Sequence, residues 1–254
     1  MSLVDSERAA GIAISKELEA YLDAVDAAYK AMGMVMEAVP EQLLEATPLA
    51  RRVTSMLLAR LANDMRCSSL LVMHGYGVQA ASIISSAYEV ACSIVYIGSD
   101  EDRAQRWVNH SSRTSPFMGA KPLTEAVVRE CSPESDYRSV YEKYSDLCMA
   151  KHANPILQMW FGVSVDFESK TVHIGDNGPD CSEVGLQVAA LALENAAGLG
   201  HMAATSFMKH WVSEEKRAGL LPVIEEAGAR YHAANAASIE RWGKRDGGSL
   251  SAGS

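Results

Sequence analysis

Residues 55–97 read SMLLARLANDMRCSSLLVMHGYGVQAASIISSAYEVACSIVYI, and this stretch decides the fold class. Its apolar residues recur at the three- and four-residue steps of an α-helix on both sides of the segment HGYG at residues 74–77. Because glycine breaks helices, the stretch predicts two interior helices joined by a short turn. A helical hairpin of this kind is a building block of helical bundles.

The flanking sequence extends the helical pattern in both directions. Residues 7–38 predict one long amphipathic helix that ends before Pro40, and Thr47-Pro48 predicts an N-cap followed by a first-turn proline. Ser99 predicts the cap of a short helix, and the segment from Asp180 to Glu183 resembles a capping box. The helices predicted after residue 98 cover about 99–110, 122–131, 133–150, 180–211 and 214–241, the last interrupted at Pro222.

Residues 160–175 differ from the rest, because apolar and polar residues alternate there as in a β-hairpin. We therefore expect a mainly α fold: a single-domain helical bundle over residues 1–243 with one small β-hairpin near residues 162–175. The low-complexity segment GGSLSAGS predicts a disordered tail at residues 244–254.

Composition bounds the class of protein. The chain has 254 residues and a formal net charge of −9, which disfavours non-specific binding to nucleic acid or to an anionic membrane. Its five cysteines are widely spaced and form no C-x-x-C pair, which is typical of a reducing compartment. The amino-terminal segment has acids where a signal peptide needs basic residues, and no apolar run reaches the roughly 18 residues that span a bilayer. We expect a cytoplasmic protein without a membrane partner; a nucleic-acid partner stays open.

Motifs of high specificity for a reaction are missing from the sequence. It contains no Walker A motif, no Rossmann glycine pattern, no G-x-S-x-G and no H-E-x-x-H. Glu194 and His201 lie seven residues apart and could join Glu89 and His152 at a metal, but the E-x-x-H element of di-iron bundles is absent. We therefore predict no metal and no cofactor.

Two polar residues stand in unusual places. Glu89 lies at the centre of an apolar helix, and a buried carboxylate requires a partner. It is either a site carboxylate or one half of a structural ion pair with an arginine such as Arg52, Arg60 or Arg66. His152 precedes Asn154-Pro155 at the end of a helix, where it is either a general acid or base or a C-terminal cap.

Arg103 and His110 lie seven residues apart, about two turns of one helix. This spacing falls within the R-x4-6-H pattern of HEPN-type ribonucleases, in which arginine steadies the phosphate and histidine acts on the 2′-hydroxyl proton. The other interpretation is a solvated helix face.

Two segments resemble an uncharacterised helical family, domain of unknown function 5677. They are LLVMHGYGVQAASIISSAYEVACSIVYIGSDEDRAQRW at residues 70–107 and YEKYSDLCMAKHAN at residues 141–154. The resemblance spans about residues 50–155 and implies a helical fold with a polar cluster, but no activity. The residues that match the family are Tyr88, Glu89, Tyr144, His152 and Asn154. This chain departs from the family where an arginine is usual, at Ser85 or Ser86, and has Cys148 where a serine is usual.

Two hypotheses of function follow. The first is a non-catalytic binding or assembly module, a homo-oligomer with room for another protein partner. The second is a metal-independent ribonuclease of the HEPN type, with Arg103 and His110 as its catalytic pair and His152 as the alternative histidine. In either case we expect Glu89 and His152 to lie in one interior polar cluster, beside Tyr88 or Tyr144.

Overall fold

The computed structural model of the protein describes residues 2–40, 44–111, 116–131, 136–152, 163–166, 170–174 and 178–243. Within these ranges the fold is mainly α, which confirms the predicted class. The predicted tail at residues 244–254 lies outside the described residues, and the domain limits stay a prediction.

The described helices and strands follow one another in a simple order. They are α1 (Leu3–Glu17), α2 (Glu19–Glu37), α3 (Leu49–Met73), α4 (Gly77–Ile97), α5 (Glu101–Val108), α6 (Ala120–Cys131), α7 (Tyr137–Lys151), β1 (Val163–Asp166), β2 (Thr171–Ile174), α8 (Glu183–Trp211) and α9 (Glu214–Trp242). β1 and β2 pair antiparallel, with Val163 opposite Ile174 and Asp166 opposite Thr171.

The core is built around α4 and α8. α4 packs between α3 and α8 and also contacts α7, while α8 packs against α2 and α9. Buried side chains of all nine described α-helices form one continuous hydrophobic cluster. The predicted helical hairpin is therefore α3 and α4, and it lies at the centre of the bundle.

α4 is the one described helix that is long and apolar enough to cross a membrane by length and composition. Its 18-residue window has a mean hydropathy of 1.5, because its isoleucines, valines and alanines outweigh Glu89 and the serines. The expectation that no segment reaches this limit is therefore wrong. Since 72% of the window is buried inside the bundle, α4 occupies the position of a core helix.

The predicted helix over residues 7–38 is two helices, α1 and α2, which meet at Leu18. This residue leaves helical geometry at φ −119° and ψ 23°, and its side chain is fully buried. Its N–H still donates to the Ile14 carbonyl and its carbonyl accepts from the Leu22 N–H, so the bend loses few hydrogen bonds. The bend directs α1 against α3 and leaves α2 against α8 and α9.

The first turn of α3 is capped by a side chain from another helix. The Glu101 carboxylate, in the first turn of α5, accepts hydrogen bonds from the N–H groups of Leu49 and Ala50, each at 3.0 Å. A carboxylate also suits the positive end of the α3 dipole. The predicted cap, Thr47, is not the N-cap residue, because α3 begins one residue later than expected, after Pro48.

Three further helix boundaries correct the predictions. Asp100, not Ser99, caps α5 by accepting the Arg103 N–H at 2.9 Å. Ser182, not Asp180, caps α8 by accepting the Gly185 N–H at 3.1 Å. α9 continues through the exposed Pro222 without interruption.

Candidate functional site

The candidate cluster lies where α4 packs against α7. The Tyr144 hydroxyl donates a hydrogen bond to Glu89 Oε1 at 2.9 Å, and Lys151 Nζ lies 3.9 Å from the same oxygen. The side chain of Glu89 is 42% exposed and that of Lys151 is 35% exposed. The carboxylate therefore lies at the edge of the core and not in its interior, on a partly exposed strip of α4 that also carries Ser82 and Ser86.

Tyr88 lies on the buried side of this cluster. Its ring packs against the Tyr144 ring with centroids 4.7 Å apart. Its hydroxyl forms a hydrogen bond of 2.8 Å with the Thr124 hydroxyl, which also contacts the Ala120 carbonyl. Burial raises the pKa of Tyr88 well above its usual value. Burial and the hydrogen bonds with Cys148 and Glu89 likewise raise the pKa of Tyr144. Both phenols therefore keep their protons near neutral pH.

The buried side of the cluster also contains the Cys92 thiol. Cys92 lies one helical turn beyond Tyr88, and burial raises the pKa of its thiol to about 12. A protonated thiol is not a nucleophile, since the thiolate is the reactive form. The cluster thus offers a ligand a half-exposed carboxylate beside an ammonium, while its phenols and thiol stay protonated.

His152 does not lie in this cluster, which corrects the predicted interior pairing with Glu89. His152 is exposed at the end of α7, where its backbone N–H donates to the Cys148 carbonyl at 2.9 Å. At about 100° per residue, Lys151 falls about 20° from Tyr144 around the α7 axis, whereas His152 falls about 80° away. Lys151 is therefore the cation beside Glu89, and neither a hydrogen bond nor an ion pair joins His152 to Glu89. Asn154 lies outside the described residues.

Arg103 is held by groups of the bundle. Its guanidinium forms ion pairs with Asp100 at 3.0 Å and Glu130 at 3.7 Å, donates to the Tyr96 carbonyl, and lies over the Tyr96 ring. His110 lies beyond the end of α5 and lines an open pocket of about 630 Å³ with Asp102 and other polar residues of α5. Because α5 ends at Val108, the two residues do not continue on one helical face, and Arg103 does not line the pocket of His110.

The most deeply buried charge in the described part of the chain is Glu194 on α8. Its side chain is 3% exposed, and Lys143 Nζ of α7 lies 2.9 Å from its Oε1 atom. From α9, Asn235 donates to the same oxygen at 3.1 Å and Ser238 donates to Oε2 at 2.9 Å. Tyr21 of α2 lies 3.0 Å from the Ser238 hydroxyl. Four helices therefore contribute to one buried network.

Lys143 keeps its charge in this network. Burial by itself lowers the pKa of a lysine, but the charge and hydrogen bond of Glu194, together with Tyr231, more than offset burial and raise the pKa of Lys143. The Tyr231 hydroxyl accepts from Lys143 Nζ at 3.3 Å. The pair is thus an ionised lysine and a carboxylate with its hydrogen-bonding capacity largely filled.

The sequence carries a signal for the burial of Glu194. The segment LALENAAG places an acid among apolar and small residues, as around Glu89, and this pattern indicates a buried carboxylate, whereas the spacing to His201 suggests only a metal ligand. In the structure His201 packs against Gly228, where an added Cβ would lie 3.0 Å from His201 Nε2. Burial, followed by the neighbouring His232, lowers the pKa of His201. Among the described residues, no three His, Cys, Asp or Glu side chains come together as a metal site would require.

In comparisons with known proteins, no protein family, no curated protein and no solved structure matches this chain.

Proposed function

We propose that this chain is a non-catalytic helical module that acts by binding or assembling with protein chains, and that it self-associates. The observation that supports this proposal is the set of large apolar side chains on the outer faces of three helices. On α1, Val4 is 68% and Ile12 is 71% exposed; on α3, Met56 is 52% and Leu70 is 49% exposed. On α9, Leu221 and Ile239 are each 44% exposed. We take these side chains as parts of a surface that another chain covers, because removing apolar surface from water favours association.

The polar clusters support the same proposal. Glu194 is neutralised by Lys143, and Glu89 is bound by Tyr144 beside Lys151. The phenols and the Cys92 thiol of the cluster hold their protons. An activated nucleophile or a general base with a free position is not among these groups.

The ribonuclease alternative receives no support from the described geometry. Its arginine would have to meet a phosphate, but Arg103 is ion-paired with Asp100 and Glu130. An RNA-cleavage assay that compares the protein with its Arg103→Ala and His110→Ala variants tests this alternative. Cleavage that both variants abolish would restore it.

Three further expectations belong to this proposal. A cytoplasmic location accords with five cysteines that are all free thiols. The resemblance to domain of unknown function 5677 accords with the contact between its two segments through Tyr144 and Glu89. We also propose that a hairpin of β1 and β2 packs on the bundle or on a partner subunit, because two strands alone are marginally stable.

Sedimentation velocity over a range of protein concentrations tests self-association. We expect the weight-average sedimentation coefficient to rise between about 1 and 100 μM, the range of weak specific contacts. The double variant Met56→Lys, Leu70→Lys should remain monomeric over that range with an unchanged circular dichroism spectrum. A wild-type chain that stays monomeric at the highest concentration would contradict self-association.

A further inference from the structure

Within the described part of the chain, the outer face of α3 is exposed along its whole length. Exposed residues recur on it from Arg52 through Met56 and Arg60 to Arg66 and Leu70, while the opposite side of the helix is buried. At about 1.5 Å per residue, this face is about 27 Å long. It is an unpartnered helical surface that alternates arginines with half-exposed apolar side chains.

This surface is basic on an acidic protein. The chain carries a net charge of −9, yet the α3 face carries three arginines and no acid. Arg60 is 61% exposed and reaches Asp64 only at 3.5 Å, at the side of the face. Arg52 and Arg66 form no ion pair with any described residue, and both are exposed. An acidic surface with apolar side chains is therefore its electrostatic complement.

The outer face of α9 has that chemistry. Glu214, Leu221, Glu225, His232 and Ile239 fall within about 40° of one another around the helix axis, and all five are exposed. The four basic residues of α9 bind other groups of the same chain. Arg230 binds Asp23 and Glu226, and Arg241 binds Glu183 and Glu17. Lys216 donates to the Ala38 carbonyl, and Arg217, beside the edge of this face, donates to the carbonyls of Val212 and Lys209. The two carboxylates on this face form no ion pair within the described part of the chain.

We propose that the basic face of α3 binds the acidic face of α9 on a second copy of this chain, an inference that rests on the proposed self-association. The side-chain spacing supports an antiparallel approach of the two helices. Suppose that Leu70 of one copy lies beside Leu221 of the other. Arg66 lies four residues before Leu70 and Glu225 lies four residues after Leu221, so in antiparallel helices these two charged residues also lie beside each other. The contact thus joins an apolar pair to an ion pair.

The arrangement of the helices decides the type of assembly. α2 and α8 pack against both α3 and α9, so the two faces belong to different sides of one molecule. A contact between faces on different sides of the molecule is heterologous, so copies join head to tail, into a ring where the rotation closes and into an open chain where it does not. Two helices alone cover less than a standard interface, so association is weak and is weakened further by salt.

A charge exchange tests the pairing. Arg66→Glu and Glu225→Lys should each raise the dissociation constant about three- to tenfold at low salt, because each places like charges opposite each other. The double variant Arg66→Glu, Glu225→Lys restores an opposite pair and should return the constant to near the wild-type value. Arg8→Glu, the same charge change at an exposed position of α1, serves as the control and should behave as wild type.

Other results would overturn the inference in distinguishable ways. A wild type that associates, with single variants that leave the constant unchanged, would refute this pairing and leave the proposed function standing. A wild type that stays monomeric would refute both. Binding of a fluorescent RNA oligonucleotide that is lost in Arg66→Glu, without self-association of the wild type, would assign the α3 face to nucleic acid and overturn the proposal.

Discussion

Lys143 on α7 forms an ion pair at 2.9 Å with Glu194, a carboxylate that α8 buries in the bundle. This pair joins α7 to α8, whereas the main packing contacts of α7 are with α4 and α6. The packing of α7 on α4 brings Tyr144 and Lys151 to Glu89. One helix therefore links the buried pair to the half-exposed cluster.

Removal of Lys143 should be strongly destabilising. Lys143→Met leaves the Glu194 carboxylate buried without a cation, which we expect to lower the free energy of unfolding by about 3–5 kcal/mol. Lys151→Met makes the same charge change on the same helix beside the more exposed Glu89, and should cost less than about 1 kcal/mol. Urea denaturation of both variants provides the comparison. Equal losses would mean that Glu194 does not depend on Lys143.

We expect the side chains of Tyr144 and Glu89 to contribute to the free energy of unfolding in a coupled, non-additive way. In a double-mutant cycle of Tyr144→Phe and Glu89→Gln, we expect a coupling energy of about 0.5–1.5 kcal/mol, the range of a single hydrogen bond. The matched cycle of Glu89→Gln with His152→Gln should be additive, because His152 makes no contact with Glu89. Coupling in the second cycle together with additivity in the first would show that His152, and not Tyr144, is the partner of Glu89.

Histidine burial should make the protein sensitive to acid. Burial lowers the pKa of His201 and of His210 in the folded state, so the unfolded chain binds more protons as the pH falls below about 6.5. Both groups contribute stability above the unfolded pKa that is lost as the pH falls through the folded pKa. Melting temperatures between pH 7.5 and 5 should fall, and His201→Gln or His210→Gln should flatten the slope. If the double variant His201→Gln, His210→Gln leaves the pH dependence of the melting temperature unchanged, the two histidines are not its cause.

Gly98 occupies a turn whose backbone conformation is unfavourable for residues with a side chain. Its φ of +47° is unfavourable for a side chain, and an added Cβ would lie 2.8 Å from His210 Nε2. We expect Gly98→Ala to cost about 1–3 kcal/mol. Gly219→Ala on α9, where an added Cβ meets nothing within 4 Å, should stabilise the protein by about 0.5–1 kcal/mol. Thermal melts of the two variants should move in opposite directions.

Local periodicity was sufficient to predict the helices but not how they meet. No glycine or proline lies within four residues of Leu18, so tertiary packing of α1 on α3 accounts for the bend there. The cap of α3 likewise comes from Glu101, which no local motif could assign. Such contacts join residues that are distant in sequence.

The candidate site was predicted in part for the same reason. Tyr88, Glu89 and Tyr144 do come together, because each lies on a face that its helix turns toward the neighbouring helix. The prediction placed His152 beside Glu89 on chemical grounds, whereas Lys151 takes that place, because a difference of one residue rotates the side chain by about 100° around the axis. Glu194 was present in the sequence as an acid among apolar residues, but its partner Lys143 lies 51 residues away.

The capping of α3 by Glu101 has a consequence for the order in which the chain acquires structure. Leu49 is synthesised 52 residues before Glu101, which is about 3 to 10 s at 5–20 residues per second. During that time the first amides of α3 have only water as their acceptor. The exchange rates of the Leu49 and Ala50 amide protons therefore report, residue by residue, when α5 docks during folding and how often it opens afterwards.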